Sequence, residues 1–205
     1  MRVMPSDDPI LIQVPETLET ERLFLTCARA GDGIALNLAV VGAIEHLRPW
    51  MPWARDIPSA EQSEAVARRM QAQFLLREHL AYFVRLRGPD GRPGRMIGGA
   101  GLHTLEWKVR RYEIGYWLAP EFTGHGLAAE AVVALTRLGF EHLHARRMEI
   151  RTDARNVASR GVAERCGFTL EGVLRQDALD VKGLPSDTCV YGMTGVDQLL
   201  APTPR

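Results

Sequence analysis

Residues 111–140 place the strongest demand on what this chain can fold into. Arg111–Leu118 (RYEIGYWL) alternates with a period of two. Tyr112, Ile114, Tyr116 and Leu118 share one face, and Glu113, Gly115 and Trp117 share the other. A few residues later the period changes, and Ala128, Ala131, Val132, Leu135 and Leu138 recur at helical spacing. Between the two runs lies Thr123-Gly124-His125-Gly126-Leu127-Ala128. A half-buried strand that passes through glycines into an amphipathic helix belongs to a sheet with helices packed on it. Free backbone N–H groups at such a helix start, with the positive end of its dipole, suit an anionic ligand, and glycine lets the ligand approach closely. No lysine follows as a Walker loop requires, and Ala129 stands where GxGxxG needs its third glycine.

The rest of the pattern predicts a single mixed α/β domain in the order β-α-α-β-β-β-α-β-α-β-β. Strands are expected at 22–28, 82–87, 96–105, 147–152, 168–174 and 188–193. Asp32 is expected to cap a helix carrying Leu36, Val40, Ile44 and Leu47 inward. Ser59 and Gln62 spell a capping box for a second helix with Val66, Met70 and Phe74 on one face. Asn156 caps a short helix that ends at Gly167. Gly98, Gly99 and Gly101 in the hairpin strand signal something packed closely on the backbone. Residues 1–18, with Pro5, Pro9 and Pro15, are expected as a surface leader, 19–196 as the domain and 197–205 as a tail.

Composition narrows function by exclusion. Twenty-five basic residues balance 25 acidic ones, which gives no global case for nucleic acid or an anionic membrane surface. No apolar run approaches a membrane span and no signal peptide is recognisable. The cysteines (Cys27, Cys166 and Cys189) are odd in number and lack a CxxC, so a reducing, cytoplasmic setting is expected. The histidines lack metal-ligand spacing, and no metal is expected.

Read in order, these segments resemble the GNAT superfamily of acetyl-coenzyme A-dependent N-acetyltransferases, most of all the branch of ribosomal-protein N-terminal acetyltransferases (RimJ/RimL type). The resemblance rests on Glu113–Leu118 followed by Pro120, on Thr123–Ala128, on Asn156-Val157-Ala158-Ser159, on Cys166-Gly167-Phe168 and on Glu171–Arg175. Upstream, Thr20-Glu21-Arg22-Leu23 and the Pro49–Trp53 loop add to it. It implies a mostly antiparallel sheet flanked by helices, whose two parallel central strands, 111–118 and 147–152, splay to admit the pantetheine arm. It implies acetyl-CoA as co-substrate, held by Tyr116, Trp117, Leu118, Thr123, Gly124, His125, Gly126, Leu127, Ala128, Asn156 and Ser159. Thr123 departs from the Gln or Arg that opens the family loop, so a side-chain contact to the diphosphate is expected to be weaker.

The implied reaction is direct attack of an amine on a thioester. An α-amine has a pKa of about 7.7–8.0 and needs only a weak base. Glu113 is the candidate, directly or through water, against a simple ion pair with Arg110 or Arg111. The donor for the developing oxyanion is expected near Trp117 and Leu118, at a strand bulge. The tyrosine that many superfamily members use as acid falls on Ala163, which leaves Ser159 or water. Trp50 and Trp53 are candidates for the acceptor wall, one as pocket and the other as a plug under the helices. His103 is a second base, a substrate contact or a structural residue.

The acceptor is an amine, either a peptide N-terminus or a small molecule such as a polyamine, aminoglycoside or amino acid. Asp177, Asp180 and Asp187 form a possible acidic patch for a polycation. Exposed edges of the last strands offer a homodimer surface. The competing reading is a non-catalytic acyl-CoA-binding or sensing module of the same fold.

Overall fold

The alternating runs all pair into one sheet. The computed structural model describes residues 8–200; the first seven residues of the expected leader and the last five of the expected tail lie outside them. The strands are β1 (Thr17–Glu19), β2 (Leu23–Cys27), β3 (Leu80–Arg87), β4 (Pro93–Glu106), β5 (Arg111–Leu118), β6 (Arg147–Asp153), β7 (Thr169–Leu179) and β8 (Pro185–Met193). They lie in the order β1-β2-β3-β4-β5-β6-β8-β7. Every neighbouring pair is antiparallel except β5 and β6. The mostly antiparallel sheet with flanking helices is therefore the architecture the sequence led us to expect.

Four α-helices cover the sheet: α1 (Gly33–Leu47), α2 (Ala60–Leu76), α3 (Leu127–Arg137) and α4 (Val157–Arg165). The two-residue period of β5 divides the core in two. Tyr112, Ile114 and Leu118 join Leu127, Ala131 and Leu135 of α3 and Val162 of α4. On the other face Phe83, Met96 and Trp117 pack with Leu36, Val40 and Ile44 of α1 and Ala67 of α2. No helix among the described residues is long and apolar enough to cross a membrane.

Several local expectations shift. Thr17–Glu19, at the end of the expected surface leader, pairs with β2 as an edge strand, and Tyr82 Oη donates to Pro15 O at 2.7 Å just before it. Asp32 makes no side-chain cap on α1. Its carboxylate accepts from Arg85 (2.6 Å) and the Arg29 N–H (2.9 Å), while Glu64 of α2 accepts from the N–H groups of Gly31 and Gly33. The capping box of α2 forms as read, with Gln62 N–H on Ser59 Oγ at 3.1 Å and Ser59 N–H on Gln62 Oε1 at 2.8 Å. The buried stripe of α2 is Ser63, Ala67 and Phe74, and Val66 and Met70 are half-buried. The last hairpin is longer than its apolar pattern, because Gln176 takes φ +52° at a register shift and the pairing resumes at Ala178.

Candidate active site

The β5–β6 pair decides where a ligand can enter. Its register runs Arg111↔Arg147, Tyr112↔Met148 and Glu113↔Glu149, and then stops. From Ile114 onward the two strands part, as the expected splay requires. Beyond the split, every other residue of β5 turns its N–H and C=O toward a partner strand that is no longer there. The gap opens into a cleft of about 1800 Å³. That exceeds the ~300–1,000 Å³ of an ordinary small-molecule pocket and leaves room for two substrates.

On the α3 side the cleft is lined by Thr123, Gly124, Gly126, Leu127, Ala128, Asn156 and Ser159. Gly124 and Gly126 have φ +80° and +78°, values that a residue with a Cβ adopts only with strain. The first helical bond runs from Glu130 N–H to Gly126 O, so the N–H groups of Leu127, Ala128 and Ala129 have no helical acceptor. Ala128, expected in the core, is half-buried and lines the cleft. The His125 side chain is exposed and off the lining; its carbonyl accepts from Arg22 at 2.9 Å. Asn156 caps α4 by accepting from Ser159 N–H at 3.1 Å. Ser159 and Tyr116 meet across the cleft, Oγ to Oη at 3.0 Å. Burial pushes the Tyr116 phenol well above its ordinary pKa. Arg165 also lines the cleft and has no ion pair among the described residues.

On the α1–α2 side the lining holds Trp50, Trp53, His79, His103, Glu113 and Trp117. The glycines here leave room for rings close against the strand backbone. A Cβ on Gly115 would sit 2.8 Å from His103 Nε2, and one on Gly99 would sit 2.7 Å from Trp117 Nε1. Trp53 meets Trp117 edge-on with ring centroids 5.9 Å apart. Both tryptophans of the loop, Trp50 and Trp53, line the cleft, so neither is the expected plug; Met51 and Ala54 pack into the core beneath them. Glu113 is not paired with Arg110 or Arg111. It accepts from Thr104 Oγ1 at 3.3 Å and lies 3.9 Å from His103 Nε2. His79 stands beside His103, ring centroids 6.1 Å apart, and its pKa is lowered by burial and then by His103. The bulge expected near Trp117 and Leu118 is absent: β4 and β5 pair regularly there, and the irregularity falls at His103–Glu106. At the end of β5 the edge that faces β6 lies beyond the last registered pair, Glu113↔Glu149.

The family model described as "Acetyltransferase (GNAT) domain" matches residues 22–169. The chain belongs to the GNAT acetyltransferase family. It is 31% identical to "Uncharacterized N-acetyltransferase YoaA" of Bacillus subtilis (strain 168) over 86% of this chain and 95% of that one. It is 30% identical to "Ribosomal-protein-serine acetyltransferase" of Escherichia coli (strain K12) over 63% of this chain and 71% of that one. A match at 40% identity to "Putative ribosomal N-acetyltransferase YdaF" of Bacillus subtilis (strain 168) covers 49% of this chain and about half, 54%, of that protein. Two similar solved structures share the fold. One is the microcin C7 self immunity acetyltransferase MccE in complex with acetyl-CoA and AMP (TM-score 0.80, 22% identity, 89% of this chain and 98% of that one). The other is RimL, a ribosomal L7/L12 α-N-protein acetyltransferase, in complex with coenzyme A (TM-score 0.78, 23% identity, 89% and 98%).

As an acetyltransferase of this family the chain takes acetyl-CoA as co-substrate. The residues fit that group on three observations: unpaired N–H groups at the α3 N-terminus, a loop whose Gly124 has open space where a Cβ would stand, and a gap between strands for an extended arm.

Sequence reasoning missed what fixes the loop. Glu130 is buried at 8% exposure in an otherwise apolar stretch of α3. It accepts from Thr20 Oγ1 (2.6 Å), Arg22 N–H (2.8 Å) and Arg22 Nε (2.7 Å), and Arg22 in turn holds the His125 carbonyl. The signal was present, since Thr20–Leu23 was part of the resemblance and a glutamate stood on a core-facing helix. His79 was missed for want of any local pattern. The cysteines are buried and free, and burial pushes Cys27 up to about 11 and Cys166 up to about 12, so they fill core space as read. Among the described residues no group of three or more His, Cys, Asp and Glu side chains is placed to hold a metal.

Proposed function

We propose that this enzyme acetylates the α-amine of a protein or peptide N-terminus by direct attack on acetyl-CoA in a ternary complex. The observation that carries this reading is the split between β5 and β6, which joins an anion-binding helix end to an aromatic, carboxylate-bearing half-cleft. The names of the ribosomal acetyltransferase relatives support a protein N-terminus as acceptor.

Acetyl-CoA supplies an activated acetyl thioester. The N-terminal N–H groups of α3 and the Gly124–Gly126 backbone hold its diphosphate. The freed edges of β5 and β6 pair with the amides of its arm as an added strand would. Backbone N–H groups at the end of β5 stabilise the carbonyl oxygen as charge builds on it. Glu113 takes the proton from the attacking amine, directly or through a water that His103 helps hold. Trp50, Trp53 and Trp117 grip the acceptor chain and keep bulk water from the thioester. Ser159, on the opposite wall, faces the departing sulfur.

The acidic patch gives little to a polycation. Asp177 pairs with Arg151, Asp180 with Arg155 and two backbone N–H groups, and Asp187 accepts from the Gln176 N–H. The test is turnover of acetyl-CoA on a peptide with N-terminal serine, with spermine and an aminoglycoside as comparisons. The reading expects acetylation of the peptide at its α-amine with kcat/KM at least about tenfold above the others, a difference of about 1.4 kcal/mol. Preference for a polyamine or aminoglycoside would contradict it.

A further inference from the structure

The position on which the tyrosine acid of many superfamily members falls is closed as well as empty of a hydroxyl: Ala163 is fully buried in the core under α4. The hydroxyl that does reach α4 comes from the sheet. Tyr116 projects from β5 beyond the split, and its Oη lies 3.0 Å from Ser159 O and 3.0 Å from Ser159 Oγ. Both residues line the cleft. Ser159 is itself held, its N–H donating to Asn156 Oδ1 at 3.1 Å.

A phenol has one proton and here two acceptors at equal distance. When it donates to the Ser159 carbonyl, Ser159 O–H is free to donate back to the phenol oxygen, and the serine hydrogen is occupied. When it donates to Ser159 Oγ, the serine hydrogen must point elsewhere, and the cleft is open to it. The phenol passes from one state to the other by rotating its O–H, with no heavy atom moving.

We propose that Tyr116 is a positioning residue for thiol departure: its O–H swings from the Ser159 carbonyl to Ser159 Oγ and so presents the Ser159 O–H to the sulfur. The inference rests on the acyl-transfer reading above. The C–S bond breaks with its electron pair going to sulfur, and the C–N bond forms from the amine lone pair. The amine proton goes to Glu113 or its water. Neither hydroxyl loses a proton; the sulfur leaves as thiolate under a hydrogen bond and is protonated by solvent after release. A phenol whose ionisation is suppressed by burial suits this task, because it stays a donor throughout the working pH range.

The test needs no acceptor. Coenzyme A is titrated into the wild type, Tyr116→Phe, Ser159→Ala, Ser159→Thr and the Phe/Ala double variant, and the bound thiol is titrated by its ultraviolet thiolate absorbance. In the wild type the thiolate-to-thiol ratio at fixed pH rises about tenfold over free coenzyme A, the size of one charge-assisted hydrogen bond. Tyr116→Phe and Ser159→Ala each remove most of that rise, the double variant removes no more than Ser159→Ala alone, and Ser159→Thr keeps it. A Tyr116→Phe protein that binds coenzyme A with the wild-type thiolate ratio overturns the inference. So does one in which only the affinity changes, since a mere strap between β5 and α4 would do that. Absence of coenzyme A binding by the wild type would overturn the acyl-transfer reading itself, and this inference with it.

Discussion

Glu113 is held by one long hydrogen bond from Thr104 and lies near, not against, His103, so its carboxylate keeps lone pairs for a substrate proton. Glu113→Gln should lower kcat by about 100-fold, the range of a lost general base, with acetyl-CoA affinity unchanged within about twofold. Steady-state kinetics on the serine peptide, with isothermal titration alongside, checks both halves. His79 makes a second, stability-based test. Its folded pKa is lowered, so below the unfolded value near 6.5 the unfolded chain binds a proton that the folded chain refuses, and stability falls as pH drops through that window. His79→Gln should therefore flatten the acid side of the Tm–pH curve while leaving the curve at pH 8 nearly as it was. At this scale the sequence revealed Gly98, Gly99 and Gly101 as a place of close packing. It could not reveal that an imidazole lies on Gly115 and an indole on Gly99, because those contacts depend on pairing and side-chain packing across separate strands.

At the level of elements, the α3 N-terminus and its loop are pinned from a distance. Glu130 gathers Thr20 and both backbone and guanidinium of Arg22, and the guanidinium then fixes the loop at His125. Glu130→Gln loses charge-assisted bonds in a mostly buried setting and should cost about 2–3 kcal/mol in urea denaturation. Arg22→Gln, at the half-exposed end of the pair, should cost less stability but weaken acetyl-CoA binding several-fold, because the loop loses its anchor. Arg165 lines the cleft on α4 and has no ion pair among the described residues, so on the proposed reading it is the cation available to the diphosphate where Thr123 offers none. Arg165→Gln should raise the acetyl-CoA Kd and reduce its salt dependence. The helix, its glycine loop and its cap-bearing partner α4 were legible from period and turn residues. β1 was not, because three residues carry no readable alternation. The far half of β7 was not, because the pairing shifts register between Leu174 and Ala178, where Gln176 takes φ +52°, and a bulge there leaves no run of alternation.

For the molecule as a whole, the fold puts two packed faces on one sheet and a cleft where β5 and β6 part, and the proposed reading assigns acetyl-CoA to one face and the acceptor to the other. The face so assigned to acetyl-CoA carries α3, α4, Tyr116 and Ser159, and the face assigned to the acceptor carries α1, α2, Glu113, His103 and the cleft-lining tryptophans. That division was already present in the alternation of β5, but the width of the cleft and the strands that border it emerge only from the full topology. Acetyl-CoA at about 100 times its Kd should stabilise the fold by about 2.7 kcal/mol and slow amide exchange at 124–129 and 156–159. The most direct test of the account is isothermal titration of the protein with acetyl-CoA, with ATP as comparison. The account predicts one acetyl-CoA per chain bound far more tightly than ATP, with Gly126→Val abolishing it. Equal binding of the two, or acetyl-CoA binding that survives Gly126→Val intact, would contradict the assignment of this cleft.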